Sequence, residues 1–69
     1  MDKFSKRLKE LRKEKNLSAV ELGKEIGVSG ASIIHWEKND NDITKKHLIK
    51  LAKFFEVSTD FLVGLSDDY

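Results

Sequence analysis

The sequence predicts an all-α fold, a compact bundle of five helices forming one domain over residues 1–69. Three observations carry this expectation. Apolar residues recur at helical intervals in five separate stretches. Serine or threonine heads four of those stretches, at Ser18, Ser29, Thr44 and Ser58, as helix caps require. The chain has no proline, only four glycines and no strand-period alternation. At 69 residues it lies near the lower size at which a core forms without staples. With no cysteine, disulfides and thiolate metal sites are excluded, and a cytoplasmic setting is expected. The apolar runs are too short to span a membrane, and MDKFSKRLKE lacks the apolar stretch of a secretion signal.

The first helix is expected from about Asp2 to Lys15, with Phe4, Leu8 and Leu11 on one stripe and Asn16-Leu17 ending it. The second begins at Ser18, because Ser18-x-x-Glu21 is a capping box in which hydroxyl and carboxylate each take an orphan amide. Val20 or Leu22, with Ile26, supplies its inner face, and Gly27 fits a left-handed cap. Ser29 caps the third helix, which runs to about Lys38 with Ile33 and Trp36 inward. A polar loop of Asn39, Asp40, Asn41 and Asp42 follows. Thr44 starts the fourth helix, whose Leu48, Leu51, Ala52 and Phe55 form the longest apolar stripe. Glu56-Val57 breaks it, Ser58 caps a short fifth helix through Val63, and Gly64 stops that one. The result is a bundle with short connections.

Within this frame, Ser18 to Glu37 hold two amphipathic segments joined by Gly27-Val28-Ser29, the sequence form of a helix-turn-helix over residues 18–37. That unit sets its second helix into the DNA major groove. The net charge of +1 conceals an uneven distribution. Residues 1–15 carry seven Lys/Arg against three acids, whereas residues 56–69 carry Glu56, Asp60, Asp67 and Asp68 with no cation. Such asymmetry suits one face meeting phosphates, and equally a solvated charged face on the first helix.

Three segments in order, LRKEKNLSAVELGKEIGVS, Ile33-x-x-Trp36-Glu37 and LIKLAKFFEVSTDFLVGLSDD, resemble the Cro/repressor-type (XRE-like) helix-turn-helix regulators of phages and bacteria. The resemblance covers residues 4 to 65 and implies a lambda-repressor-like DNA-binding fold. It implies that Arg12 and Glu37 form a partly buried ion pair joining the first and third helices, and that the start of the third helix lies in the major groove. The corresponding base-contact positions here are Gly30, Ala31, Ser32, Ile34 and His35. Gly30 and Ala31 stand where the family often has glutamine, and Ala19 replaces the glutamine that often opens the second helix. Apolar contact of Ala31 and Ile34 with thymine methyls is one form of readout, and His35 can donate to guanine. Gly30 is expected to let the backbone approach DNA closely.

Phosphate contacts are expected from the amides around Ser18 and Ala19 at the head of the second helix, from Ser29, and from Lys38, Asn39, Lys45 and Lys46. Asp40 and Asp42 depart from the family's commonly basic loop. Phe54, Phe61 and Leu65 exceed what so small a core needs and are candidates for a dimer interface, with core packing the other reading of Phe61. Trp36 reads as core. The expected function is sequence-specific binding of double-stranded DNA by a homodimeric regulator, a repressor, on a palindromic operator. The other class considered is a protein-interaction module, such as an antirepressor, on the same scaffold. No enzyme, cofactor, metal or small-molecule ligand is expected, since His35 and His47 are the only imidazoles and no cysteine accompanies them. Residues 66–69 resemble the start of a linker.

Overall fold

A computed structural model describes residues 3–38 and 43–68. They form five helices: α1 (Lys3–Glu14), α2 (Ala19–Ile26), α3 (Gly30–Lys38), α4 (Lys45–Phe55) and α5 (Thr59–Val63). There is no strand among the described residues. The loop 39–42, with the phosphate candidate Asn39 and the acids Asp40 and Asp42, lies outside them, as do Asp2 and Tyr69. None of the helices is long and apolar enough to cross a membrane.

Every helix sends one wholly buried aliphatic side chain into a common core: Leu8, Leu22, Ile33, Leu51 and Leu62. Each contributes about 1.5–3 kcal/mol relative to exposure. Phe4, Leu11, Ile26, Trp36, Ala52 and Phe55 complete the core. The inner face of α2 is Leu22 with Ile26, while Val20 is 56% exposed. Leu48 is only half-buried, so the buried stripe of α4 begins one turn later than its spacing predicts.

The helix ends follow the caps. Ser18 Oγ accepts from the Glu21 amide at 3.1 Å, and the Glu21 carboxylate accepts from the Ser18 amide at 2.7 Å. Gly27 closes α2 at φ +84°, a left-handed conformation that costs a residue with a Cβ about 1–2 kcal/mol. Asn16 and Glu56 take the same conformation at the ends of α1 and α4. Ser58 Oγ accepts from Phe61 N at 2.9 Å and starts α5.

Two contacts of α1 have no counterpart in the sequence expectations. Ser5 is buried and donates its hydroxyl to the Trp36 carbonyl at 2.8 Å, fastening the first turn of α1 to the end of α3. Arg7 straps down the carboxyl-terminal segment. Its guanidinium donates to the carbonyls of Phe61 and Ser66, pairs with Asp67 at 2.7 Å, and lies 4.1 Å over the Phe61 ring. Helical spacing does not reveal either contact, because both partners lie far away in sequence.

The capping box makes a prediction. The Ser18 amide, and then the Ser18 hydroxyl, hold the Glu21 carboxyl below its ordinary value of 4.5 in the folded state. A depressed folded-state pKa adds stability above the unfolded value, which is lost as pH falls through the folded one. Glu21→Gln should therefore lower the melting temperature at neutral pH, and its deficit should shrink as the pH falls below the ordinary glutamate value and through the lower folded-state one. Thermal unfolding followed by circular dichroism across that range checks this; a deficit independent of pH contradicts it.

Candidate nucleic-acid interface

The helix-turn-helix is held at its bend by backbone, and the bend needs bare α-carbons. The amides of Gly27 and Val28 both donate to the Gly23 carbonyl at 2.8 Å. A Cβ on Gly23 would stand 2.5 Å from the Val28 carbonyl oxygen, closer than real carbon–oxygen contacts. At Gly30 a Cβ would stand 2.7 Å from Val20 Cγ2 and 3.1 Å from the Val20 backbone. The missing side chain would point into α2, so the glycine serves the close approach of the two helices. It also brings the head of α2, with Ser18 and Ala19, beside the head of α3.

The far end of α3 is fixed by charge. Arg12 Nε donates to Glu37 Oε2 at 2.6 Å and Nη2 to Oε1 at 3.0 Å, a bidentate pair between side chains only 13% and 5% exposed. A third donor, Nη1, reaches the Leu17 carbonyl at 2.9 Å. One guanidinium thus ties together α1, the entry to α2 and the end of α3. The hydrogen bond to Glu37 raises the Arg12 pKa against the opposing effect of burial.

With Ile33 and Trp36 buried, Ala31, Ile34 and His35 are left on the outer side of α3, at i, i+3 and i+4. All three are exposed, Ile34 by 39%. Ser32 is half-buried; its amide donates to Ser29 Oγ at 3.1 Å and its hydroxyl lies 3.2 Å from the same oxygen. Ser29 therefore caps α3, and one hydroxyl hydrogen of the pair is used between them. In the same way Ser18 Oγ and N are engaged by Glu21, which leaves the amides of Ala19 and Val20 as the orphan donors at the head of α2.

Lys38, Lys45 and Lys46 are all exposed. The Trp36 and His47 rings, 5.6 Å apart, bring the first turn of α4 to the last turn of α3, so these lysines border the same end of α3. Thr44 caps α4 by accepting from His47 N at 3.4 Å, and no acid stands in the first turn. Two lysines in that first turn add to the positive end of the helix dipole.

The candidates for a dimer interface separate. Leu65 is 80% exposed. Phe54 is half-buried, edge-on to Phe55 at 5.1 Å with Lys15 Nζ 5.5 Å from its ring centre. Phe61 packs against the core under the Arg7 guanidinium, which favours its reading as packing. Arg7 and Ser5 are the residues of this region that the sequence did not single out. Among the described residues no three His, Asp or Glu side chains converge as a metal site would need.

The sequence matches the family described as Helix-turn-helix over residues 8–62. It is 32% identical over 65 residues to the uncharacterised HTH-type transcriptional regulator YobD of Bacillus subtilis (strain 168), covering 94% of this chain and 58% of that one. It is 31% identical over 60 residues to repressor protein C2 of Salmonella phage P22, covering 87% of this chain and 28% of the repressor. The chain thus spans little more than half of the first relative and under a third of the second. The crystal structure of the P22 c2 repressor in complex with a synthetic operator superposes with a TM-score of 0.83 at 28% identity, covering 91% of this chain and 96% of that one.

Three substitutions test these contacts. Gly30→Ala should destabilise the domain by about 1–3 kcal/mol through overpacking against Val20. Val20→Ala in the same chain should recover part of that loss, the remainder coming from the Val20 backbone. Urea denaturation of the two single variants and the double variant measures the coupling; additive losses contradict the contact. Glu37→Gln should cost about 3–5 kcal/mol by stranding the Arg12 guanidinium. Given stabilities of about 5–15 kcal/mol for whole domains, that is a large share.

Proposed function

The chain belongs to the helix-turn-helix family of transcriptional regulators, and we propose that it binds double-stranded DNA sequence-specifically, as a homodimeric repressor on a palindromic operator. The observation that carries this reading is the outer side of α3. Ala31, Ile34 and His35 stand exposed on one side of a helix held at both ends, with the orphan amides of α2 beside its head and Lys38, Lys45 and Lys46 at its far end. The P22 c2 repressor, bound to a synthetic operator, supports it by likeness of fold.

In this reading Ala31 and Ile34 pack against thymine methyls, and His35 donates to a guanine edge. Ser32 lies at the rim of the base contacts, and Gly30 lets α3 sit close to α2. Phosphates are held by the amides at Ala19 and by Ser18, Ser29 and the three lysines, with Asn39 an added donor. Dimerisation uses Leu65 with the exposed edge of Phe54. It sets two α3 helices into successive major grooves, roughly 34–36 Å apart. No chemistry is required: occupancy of a promoter is the mechanism.

Selection from randomised duplexes, followed by titration at rising salt, tests the proposal. A selected palindrome and a log–log salt slope of several phosphates are expected. His35→Ala should relax base preference at one position by about 1–3 kcal/mol, whereas Lys46→Ala should weaken all sequences alike and reduce the slope by about one. Absence of any salt-sensitive duplex complex, together with a protein partner lost on Ile34→Lys, would replace this reading with that of a protein-interaction module.

A further inference from the structure

α1 and the carboxyl-terminal end of α3 border a groove of about 470 Å³, and none of the roles above uses the lysines that α1 contributes to it. Its walls carry Lys6, Lys9 and Lys13 from α1 and Lys38 from α3. Two acids share it. The Glu37 carboxylate is already bound by both arms of Arg12, which leaves Glu10 alone against four ammonium groups. Among the described residues none of those four lysines enters an ion pair. A smaller hollow of about 230 Å³, lined by Lys3, Lys6, Arg7 and Glu10, shares two residues with the first and extends the basic stripe along α1.

We propose that this groove is a second grip on the DNA backbone, holding phosphates that lie outside the base pairs read by α3. The inference rests on the DNA-binding function proposed above and adds a site to it. Three features of the groove lead to it. It is continuous with Lys38, the residue that ends the reading helix, so a strand passing that end of α3 runs on toward α1. Its charge exceeds what the structure needs: the dipole at the end of α3 calls for one or two cations, and Lys38 is one already. Its lining side chains are those of lysine, glutamate and serine, with no aromatic or branched aliphatic residue. Its apolar surface is the methylene stems of lysine and glutamate, beneath the charged ends. A phosphodiester strand needs only cations, and long flexible lysines suit it because the contact carries no sequence information. The groove would therefore add affinity without adding specificity, which complements a reading face poor in hydrogen-bonding groups.

The test compares duplex length with charge. The selected site is prepared as a short duplex ending at its outer base pairs and as a long one with about ten further base pairs, roughly one turn, on each side. Lys6→Ala, Lys9→Ala and Lys13→Ala are combined in one variant. All three positions are exposed, and an unchanged circular dichroism spectrum shows that it folds. A control combining Lys24→Ala, Lys50→Ala and Lys53→Ala removes the same charge elsewhere on the surface. On the long duplex the groove variant should lose about tenfold or more in affinity, with a salt slope shallower by about two to three. On the short duplex it should match the control, and its base preference should be that of the unmodified protein. A wild-type slope on the long duplex overturns the proposal, as does an equal loss on both lengths. Capture of poly-glutamate that the groove variant loses while binding DNA normally also overturns it, in favour of an acidic protein partner. Failure of the unmodified protein to bind either duplex is a different result: it removes the DNA-binding function itself, and this site with it.

Discussion

The position of α3 depends on one buried carboxylate. Glu37 stands in the last turn of the helix in a place where water scarcely reaches, and a carboxylate there is tolerable only if charged donors surround it. Arg12 supplies two hydrogen bonds to it and spends a third donor on the Leu17 carbonyl, in the connection between α1 and α2. The pair therefore does more than join two helices. It sets the angle of α3 with respect to both α1 and the start of α2, so that head and tail of the helix-turn-helix are referred to one guanidinium. Lysine at position 12, a point charge without the planar fork, could not make the same three directed contacts.

At the opposite end of α3 the constraint is steric. Gly23 and Gly30 are places where a backbone or side chain of the facing segment already occupies the volume of a Cβ. The helices can be this close only because those two positions are empty. A charged clamp at one end and close contact at the other leave α3 little freedom to tilt or slide. Ser5 adds a third point by bonding to the Trp36 carbonyl.

Much of this was legible in the sequence because it is local. The capping box at Ser18, the caps at Ser29, Thr44 and Ser58, and the glycine stops at Gly27 and Gly64 depend on residues a few positions apart, and each lies where its pattern predicts. The inward residues of α1 and α3 follow from helical spacing. Other features could not be read so. Val20 and Leu22 both fit an inner face by type, and only the packing of α3 against α2 decides between them. That Gly30 makes room for Val20 is visible only once α3 is packed on α2. Arg7 and Ser5 are ordinary helix residues in sequence; their partners, some 30 to 60 positions away, are brought near by the fold. The groove of lysines is hidden for the same reason, since Lys38 joins Lys6, Lys9 and Lys13 only when α1 crosses the end of α3.

The rigidity of α3 bears directly on the kind of readout proposed for it. A glutamine or arginine on a reading helix reaches its base through several rotatable bonds and can absorb a small error in helix position. Ala31 and Ile34 have no such reach. Dispersion between carbon atoms is lost steeply with distance, so a gap of 0.5–1 Å forfeits about a quarter to a half of each contact. Discrimination by methyl contact thus requires the backbone itself to be correctly placed. The Arg12–Glu37 clamp and the Gly30–Val20 contact serve that requirement, which gives the stabilising interactions of this domain a second consequence. If α3 is loosened, selectivity should fail before binding does, because the phosphate contacts are electrostatic, longer in range and indifferent to small displacements. In a reading face made of small and apolar groups, specificity is a property of the scaffold as much as of the side chains it displays.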